Sequence, residues 1–561
     1  MFLPTTPEEM KTLQWGALDV VLVTGDAYID SPFVGVAVIG KVLLDTGLRV
    51  GIIAQPDTAS EQDIRRLGEP SLFWGVTAGC IDSMVANYTA TGRRRRSDDY
   101  TPGGINTRRP DRAVIVYSNL IRRYFKHTRP IVLGGIEASL RRIAHYDFWS
   151  HRIRRSILFD AKADYLLYGM ADHSACELAA CLRNGKDPRS IRGLCYPSPT
   201  QSEGALALPS FEEVAHDKVA FRDMFHLFYR NNDPITGRPL AQKQDSRYLI
   251  QTPPPLPLSQ QALDAVHALR YERALHPYHR KDGTVKALDT IGASIATHRG
   301  CYGECHFCAI AVHQGRTVTW RSRDSIVAEA KELAAIPGFK GIIRDVGGPT
   351  ANMYGIECSR KEKEGVCPSR RCLFPTICPG LPVDHGAQIR LLKELRSIDG
   401  VKKVFVASGI RHDMILADTD HGIAYLEELI RHHVSGQMKI APEHSETRVL
   451  EMMGKPGPGA LLRFKALFTR LTQKHKKTAF LTYYLIAAHP GCTDGDMRRL
   501  RSFALRELHL LPEQVQIFTP TPSTYSTLMY WTGENPFDGK PCFVETTLRG
   551  REHQKRIMAK E

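Results

Sequence analysis

Short apolar runs alternate with helical patterns along most of this chain, and this alternation is the feature that most restricts its fold. Residues 18–23 and 49–54 are apolar runs of strand length, and a helical pattern covers residues 33–46 between them. The further strand-like runs of the N-terminal part are residues 72–77, 113–117, 131–133 and 165–168. Strands that alternate with helices predict a doubly wound parallel sheet, so the fold class is α/β.

Ligands of such sheets bind beyond the carboxyl ends of the strands. The loop residues in that position are Asp26, Asp30, Gly134 and Gly135. Turn geometry alone would also explain the two glycines. These residues are therefore candidates for a ligand site only through their place in the predicted sheet.

A second alternation begins near residue 291. Its strand-like runs are residues 291–297, 341–346, 402–408, 437–441, 479–487 and 514–518, with helical patterns between them. Six strands with intervening helices predict a six-stranded partial (β/α)6 barrel of the TIM type. The predicted division is an N-terminal α/β domain over 1–195, a connector with a proline-rich spacer over 196–285, a barrel over 286–540 and a basic tail over 541–561.

Three cysteines follow the first strand of the second alternation. Cys301, Cys305 and Cys308 have the spacing CxxxCxxC. Thiolates at this spacing can hold three irons of a [4Fe–4S] cluster and leave the fourth iron open. A structural zinc ion completed by His298, His306 or His313 is the alternative, and plain packing of buried thiols is a third.

A second cysteine group lies in a long insertion after the second strand, over residues 349–383. Cys358, Cys367, Cys372 and Cys378 follow one another within a single loop. Four thiols can complete a zinc site or hold a second cluster, and a metal would hold together a long loop that has no other structure. Reduced, unligated thiols are the alternative, and the spacing does not separate zinc from iron.

The three-cysteine motif, placed after the first of six strands, resembles the signature of the radical S-adenosylmethionine (SAM) enzymes. The resemblance implies a [4Fe–4S] cluster, SAM on its open iron and a 5′-deoxyadenosyl radical as the reactive species. It also implies that Gly347 and Gly348, Ser408 and Glu443 contact SAM, with Arg411 a further candidate. An ordinary turn is the alternative for the two glycines, and a surface salt bridge is the alternative for Arg411 and Glu443. Pro349 stands where that family usually has a glutamate, so no side chain is assigned there.

Longer segments resemble the YgiQ family of radical SAM proteins over nearly the whole chain. They include residues 26–30, 96–104, 109–112 and 134–139, and in the barrel residues 345–354 and 441–444. The resemblance implies a one-electron reductant such as flavodoxin or ferredoxin as partner. It does not name the substrate, and RNA or another anionic molecule is compatible with the charge.

The N-terminal sheet also resembles the cobalamin-binding domains that precede some radical SAM barrels. Those domains often carry a histidine two residues after an aspartate, and this histidine ligates cobalt. Tyr28 occupies that position after Asp26. The sequence therefore disfavours cobalamin as a cofactor.

Composition limits the remaining choices. The 561 residues carry a net charge of +15 and include 13 cysteines. A basic excess attracts polyanions, so a zinc-bearing nucleic-acid-binding protein without catalysis is the competing class. The run Arg93–Arg96 and the arginines from Arg108 to Arg155 carry much of the positive charge. Clustered thiols, no apolar run of membrane length and no secretory signal predict a cytoplasmic protein.

Overall fold

The computed structural model describes residues 1–559 as two compact units. The N-terminal unit comprises Met1–Leu258 and Ala265–Gly292, and the C-terminal unit comprises Ser259–Asp264 and the chain from Ala293 onward. The helix Gln260–Ala268 is divided between them. Within the described residues, no helix combines the length and the apolar character needed to cross a membrane.

The N-terminal unit is built on one large mixed sheet. Its strands are β1 Val20–Thr24, β2 Ile29–Asp30, β3 Val50–Ala54, β4 Phe73–Thr77, β5 Ile131–Leu133, β6 His145–Asp147, β7 Arg152–Arg154, β8 Tyr165–Leu167, β9 Leu194–Ser198, β10 Leu206–Leu208, β11 Leu240–Gln244, β12 Arg247–Gln251 and β13 Ala274–Leu275. Nine of them form the sheet, in the order β10-β11-β12-β9-β8-β5-β4-β1-β3. The helices are Pro7–Thr12, Gly35–Asp45, Gln62–Arg65, Ser83–Asn87, Pro102–Gly104, Ala113–Tyr124, Gly135–Leu140, Ile157–Asp160, Asp172–Arg183, Phe211–His216, Lys218–Arg230, Pro277–Arg280 and Leu288–Ile291.

The parallel part of this sheet matches the predicted alternation. Strands β3, β1, β4, β5 and β8 pair side by side and parallel, with Val20 opposite both Val50 and Phe73. Every residue of β1 and of β3 is buried. Apolar, β-branched residues form continuous runs in strands that are buried on both faces, which is why these segments are strands.

Two parts of this unit differ from the sequence prediction. Residues 113–117, predicted as a strand, begin the helix Ala113–Tyr124. The apolar positions continue at Leu120 and Ile121 on the buried side, so the period is that of a helix. Residues 196–285, predicted as a connector, contribute strands β10, β11 and β12 and most of β9 to the sheet.

Three of the arginines between Arg108 and Arg155 are buried inside this unit. Arg109 is 1% exposed and pairs with Asp26 at 2.7 Å and with Asp98 at 2.9 Å. Arg141 is buried beside Asp82. The guanidinium of buried Arg142 lies over the Tyr168 ring, 4.2 Å from its centroid. Buried arginines of this kind are paired internally and do not contribute to a surface for polyanions.

The C-terminal unit contains three parallel ladders. Its strands are β14 Ser294–Ala296, β15 His298–Arg299, β16 Thr319–Trp320, β17 Ile342–Ile343, β18 Asp345–Gly347, β19 Lys403–Val404, β20 Gln437–Glu443, β21 Phe480–Ala487 and β22 Val515–Ile517. Strand β14 pairs with β18, β17 pairs with β19, and β20-β21-β22 form a three-stranded sheet, all parallel. Ile410 and Ile440 add one parallel bridge. The ladders follow the predicted strand order.

Helices lie between these strands. They are Ile310–His313, Arg323–Ala335, Ala351–Met353, Ser359–Glu364, Gly386–Arg396, His412–Ala417, Gly422–Glu428, Leu429–His433, Thr447–Met453, Gly459–Lys474, Asp494–Phe503, Ala504–Leu508, Tyr525–Thr532 and Leu548–Ile557. One apolar core joins strands and helices, with Val346, Leu392, Ile440 and Phe464 among its fully buried members. A mixed α/β architecture in both units is thus confirmed.

Candidate functional site

The three-cysteine motif lies in the loop that follows β15. Gly300 opens this loop with φ +80°, and a Cβ there would lie 2.0 Å from the Thr317 carbonyl oxygen, so only glycine fits. At Gly303, a Cβ would lie 3.2 Å from the Cys301 Sγ, 3.6 Å from the Cys305 Sγ and 3.4 Å from Arg411 Nη1. Two thiols and one cation therefore lie close to the backbone of Gly303.

The three cysteines of this loop are partly buried and act on one another electrostatically. The pKa of Cys308 is raised to about 12, mainly by burial of its thiol and in smaller part by the neighbouring Cys305 and Cys301. Burial also raises the pKa of Cys301, although Thr350 Oγ1 at 3.3 Å and the Gly303 amide, which donates to its sulfur at 3.3 Å, stabilise the thiolate. A metal that binds here would have to displace thiol protons, which iron and zinc both do.

Arg411 supplies positive charge beside the thiols. Its Nη1 lies 3.9 Å from the Cys305 Sγ. Its Nε donates to Asp413 Oδ1 at 2.8 Å and its Nη2 to Asp413 Oδ2 at 2.5 Å. Although burial alone would raise it, the guanidinium holds the pKa of Asp413 well below its usual range. A buried, always charged guanidinium suits a site that holds several thiolates.

A hydrogen-bonded chain fixes the backbone of Arg411. The Asn352 Oδ1 accepts from the Arg411 amide at 2.8 Å, and its Nδ2 donates to the Arg411 carbonyl at 3.0 Å. Asn352 Nδ2 also lies 3.2 Å from His385 Nε2, and His385 Nδ1 lies 2.7 Å from Asp418 Oδ2. The His385 ring stacks on Tyr425 with centroids 4.5 Å apart. These fully buried groups position Arg411 without contacting the cysteines.

Gly347 and Ser408, two of the residues predicted to contact SAM, are neighbours. A Cβ at Gly347 would lie 3.6 Å from the Cβ of Ser408. The Asp345 carboxylate accepts from the Ser408 hydroxyl and from the Ser408 amide, the latter at 3.1 Å. Ser408 is therefore held by Asp345, which sequence reasoning did not select.

The His298 ring packs so closely against Gly348 that a larger residue would not fit there. A Cβ at Gly348 would lie 2.5 Å from His298 Nε2. The His298 ring is buried, and burial lowers its pKa to about 4. A neutral imidazole thus packs against the backbone of the two-glycine turn, and the glycine is needed for that close approach.

Glu443 lies at the end of β20 in an uncommon backbone conformation, with φ +69°. Burial raises its pKa, and the nearby Lys455 ammonium, 3.6 Å from its Oε1, opposes that effect. The carboxylate also acts on the thiol of Cys308, whose pKa it raises. Lys455 was missed by sequence reasoning, although the Gly- and Pro-rich loop that carries it follows the helix after β20 directly.

The histidines weighed as zinc ligands have other partners or neighbours. His306 Nδ1 lies 2.8 Å from the Met452 carbonyl, and its ring packs against Tyr525 and Phe537. In residues 1–559, Asp384, Asp418 and His421 form the one group of three or more metal-binding side chains whose ligand atoms lie within 4.8 Å of one another. The three cysteine sulfurs do not form such a group within the described residues, and the choice between iron and zinc stays a prediction.

The second cysteine group is brought together only in part. Cys358 and Cys372 lie in one buried cluster, and each affects the electrostatics of the other. Burial raises the pKa of Cys372 to about 11, against the lowering effect of Lys361. Cys367 accepts from Arg360 at the surface, and Cys378 is half-buried at the edge of the cluster. The second metal site stays a prediction.

A buried ion-pair network joins the two cysteine segments. Glu304, inside the first motif, faces Lys361 Nζ at 3.6 Å and Arg316 Nη1 at 3.8 Å. Lys361 is 2% exposed and donates to the Arg316 carbonyl at 2.5 Å and to the Cys372 Sγ at 3.5 Å. Its ammonium also lies 5.2 Å from the Tyr302 ring centroid. The insertion is thereby fastened to the first cysteine loop.

The loop residues of the N-terminal sheet have structural partners. Asp26 is fully buried with Arg109, and its Oδ2 accepts from the Cys80 amide at 2.6 Å. Asp30 pairs with buried Lys41 at 3.1 Å. Tyr28 is fully buried and its hydroxyl accepts from the Leu3 amide at 3.1 Å. No ligand role follows from these contacts.

Comparison with known proteins shows the family of this chain. Residues 2–294 match the family model described as "Radical SAM N-terminal". The protein is thus a radical SAM enzyme, as the sequence predicted. A UPF0313 protein of Fusobacterium nucleatum is 56% identical over 561 residues, covering 100% of this chain and 99% of that protein. One of Thermotoga petrophila is 49% identical, covering 99% and 98%. The chain belongs to the UPF0313 family.

Solved structures share the fold. TsrM of Kitasatospora setae, a radical S-adenosylmethionine methyltransferase solved with its tryptophan substrate and the SAM analog aza-SAM, gives a TM-score of 0.51 at 16% identity, covering 90% of this chain and 74% of that chain. The same enzyme with cobalamin and a [4Fe–4S] cluster bound gives a TM-score of 0.49 at 15% identity, covering 90% and 77%. At these identities the likeness concerns the fold alone.

Proposed function

We propose that the protein holds a [4Fe–4S] cluster through Cys301, Cys305 and Cys308 and binds SAM beside it. The observation that carries the proposal is the approach of the Cys301 and Cys305 sulfurs and the Arg411 guanidinium to the backbone of Gly303. Three thiols, one nearby cation and a backbone without side chain fit a multi-iron group better than a single tetrahedral ion. Radical SAM family membership supports the same assignment.

When bound, such a cluster would supply the electron that cleaves SAM to methionine and a 5′-deoxyadenosyl radical. The residues of this chain supply ligation, orientation and exclusion of water. Gly347, Gly348, Ser408 and Glu443 are the proposed SAM contacts, and Lys455 joins them through its pairing with Glu443. Burial of Glu443 and Lys455, both below 10% exposed, keeps this part of the site dry.

The parallel ladders support a barrel. We propose that β14, β17 with β18, β19, β20, β21 and β22 are the six strands of a partial (β/α)6 barrel. Their parallel pairings follow the sequence order, and the residues after the strands carry the cysteines, the two glycines, Ser408 and Glu443. Catalytic residues lie at this end of the strands in barrel enzymes.

Anaerobic purification with iron, sulfide and zinc analysis tests the cluster. We expect about four irons and four sulfides per cluster, a brown colour that air bleaches, and 5′-deoxyadenosine when SAM and a reductant are added. The triple variant Cys301→Ala, Cys305→Ala, Cys308→Ala should lose both the iron of this site and the nucleoside product. Cys542→Ala, in the same unit but outside both cysteine groups, is the matched control.

Two results would contradict the proposal. Persistent 5′-deoxyadenosine formation in the triple variant would show that the cysteines are not the ligands. Stoichiometric zinc without iron, together with salt-sensitive RNA binding and no SAM cleavage, would favour the zinc-bearing nucleic-acid-binding protein instead. Metal content of a Cys358→Ala, Cys372→Ala variant decides in the same preparation whether the second cysteine group holds iron, zinc or nothing.

Cobalamin is to be measured alongside iron. The prediction against it rests on Tyr28 in place of a histidine. The comparisons give this prediction no support, since TsrM has been solved with cobalamin bound. The absorption spectrum of protein reconstituted with hydroxocobalamin decides the point.

The reductant and the location of the enzyme follow from the same chemistry. We propose flavodoxin or ferredoxin as the electron donor, because both deliver single electrons at low potential. Clustered thiols that must stay reduced fit the cytoplasm. Replacement of a chemical reductant by purified flavodoxin in the SAM cleavage assay tests the partner.

A further inference from the structure

An ordered hairpin in the N-terminal unit displays four consecutive arginines, Arg93–Arg96. The Thr89 amide donates to the Arg93 carbonyl at 2.9 Å, and Tyr88 pairs with Arg94 across the turn. The Arg95 amide donates to the Asn87 carbonyl at 2.7 Å, and the Arg96 carbonyl accepts from the Asn106 amide at 3.1 Å. The backbone of the whole run is therefore held, while all four side chains are exposed.

Aromatic rings from a distant part of the sequence adjoin this hairpin. The Trp149 ring lies 5.6 Å from the Tyr88 ring, and the Phe148 ring lies 5.0 Å from Trp149, measured between centroids. The two residues sit in the turn between β6 and β7 and are half-buried. This turn is far from the arginines along the chain, so the sequence alone does not place these rings beside them.

The ion pairs on this surface are exposed and weak. The Arg94 guanidinium lies 5.9 Å from the Tyr88 ring centroid and is 3.7 Å from Asp111, with the two side chains 47% and 42% exposed. Arg108 is 43% exposed beside Asp282 at 3.1 Å. Pairs this exposed add little stability, so their arginines can exchange a carboxylate for a phosphate at little cost. This distinguishes them from the buried arginines Arg109 and Arg141.

We propose that this surface, the arginine hairpin 88–97 with the aromatic turn 148–149, binds single-stranded RNA. Guanidinium groups on a fixed backbone can pair with the negative charges that repeat along a phosphate chain. Half-exposed aromatic rings can stack on unpaired bases. Paired bases are not available to such rings, and a lipid headgroup has no planar base to place on Trp149. A single-stranded nucleic acid is thus the polyanion whose chemistry uses both halves of the surface.

This inference rests on the proposed function in one respect, since it takes the bound RNA to be the substrate class of the proposed enzyme. Binding is measured separately from SAM cleavage, so the two can fail independently. Trp149, Arg94 and Arg96 belong to the N-terminal unit and lie outside the proposed cluster and SAM contacts, so their variants should cleave SAM in the absence of RNA as the wild type does.

The test uses the anaerobically purified full-length protein and a fluorescein-labelled 12-nucleotide oligouridine RNA. Fluorescence anisotropy gives the dissociation constant between 50 and 300 mM KCl. Trp149→Leu should weaken binding by about tenfold, and Trp149→Phe should retain most of it, because stacking needs a ring. Arg94→Ser with Arg96→Ser should reduce the salt slope by about 1.4, the loss of two phosphate contacts.

Matched controls separate the surface from general charge. Arg183→Ser with Lys186→Ser removes two exposed charges elsewhere on the same unit and should leave the salt slope unchanged. Inorganic polyphosphate of similar charge should compete poorly, and oligothymidine DNA should bind within a few-fold of RNA or more weakly. Thermal unfolding of each variant confirms that it is folded.

Four outcomes would overturn the proposal. They are no saturable RNA binding at 50 mM KCl, wild-type affinity in folded Trp149→Leu, an equal loss in the Arg183 and Lys186 control, and polyphosphate competing as well as RNA. Since Trp149→Phe conserves an aromatic ring, loss of binding in that folded variant would also contradict a stacking role.

Discussion

Removal of the Arg411 guanidinium should destabilise the C-terminal unit strongly, because Asp413 would be left buried and unpaired. Both side chains are less than 10% exposed, and two charge-assisted hydrogen bonds join them. Removing one partner of a buried ion pair lowers the free energy of unfolding by about 3–5 kcal/mol. For a unit of this size that corresponds to a decrease of about 10 °C in Tm.

The variant Arg411→Met tests this, with anaerobic thermal unfolding followed by circular dichroism. Arg411→Met combined with Asp413→Leu should recover most of the lost stability, because apolar side chains of similar volume replace a buried pair at little cost. The double variant separates the cost of an unpaired carboxylate from the cost of lost packing.

The pH dependence gives a second check on the same pair. In the wild type the pKa of Asp413 is well below its usual value, so the stability it contributes is present above about pH 4 and is lost only in stronger acid. Without the guanidinium, burial raises the pKa of Asp413, and the folded variant takes up a proton as the pH falls. Its deficit in Tm should therefore narrow from pH 8 to pH 5.

Three results would refute the reasoning. They are a loss of less than about 1 kcal/mol in the free energy of unfolding of Arg411→Met, no recovery of stability in the double variant, and a loss that does not depend on pH. The first result would mean that Arg411 and Asp413 are solvated. The second would mean that packing of the guanidinium, and not its charge, holds the loop.

Two further predictions concern neighbouring parts of the site. Gly348→Ala should lower Tm by a few degrees and raise the KM for SAM, because the added Cβ would lie 2.5 Å from His298 Nε2 and overpacking costs about 1–3 kcal/mol. Gly409→Ala is the control, because a Cβ at Gly409 would have no atom within 4 Å. Burial lowers the pKa of His444 to about 4, so the unfolded chain takes up a proton at His444 more readily than the folded protein does. The free energy of unfolding should therefore fall by about 2 kcal/mol between pH 7 and pH 5, and His444→Gln should show a smaller decrease in Tm over that range.

The parallel strands and the three-cysteine loop could be predicted because their signals are local. Four of the five residues of β1 are apolar, and glycine or cysteine follows several strands directly. Strands β11 and β12 could not be predicted in this way. Their glutamines are polar in the sequence but buried in the structure, where Gln242 Oε1 accepts from the Ala144 amide at 2.9 Å and Gln244 Oε1 accepts from the Ser156 amide at 2.9 Å.

The same limit applies to the site. The resemblance and the place of Ser408 and Glu443 after strands led to their prediction as SAM contacts, and that role stays a prediction. Lys455, Asn352 and His385 could not be selected in this way, because they act through contacts between segments far apart in the sequence. A lone lysine or histidine in a sequence carries no sign of its partner. Residues 113–117 show the converse error, since a short β-branched run was given too much weight against the helical period that extends it.

The Glu304–Lys361–Arg316 network has a consequence for maturation of the enzyme. Glu304 lies between two of the proposed iron ligands, and its carboxylate is anchored by cations from outside the loop. The loop is therefore held by ion pairs within the chain that do not involve the proposed cluster. A protein that delivers the proposed cluster would then bind to a cysteine loop that is already folded. Excision of the cysteine-rich insertion would remove Lys361, and with it the apoprotein's readiness to accept the cluster.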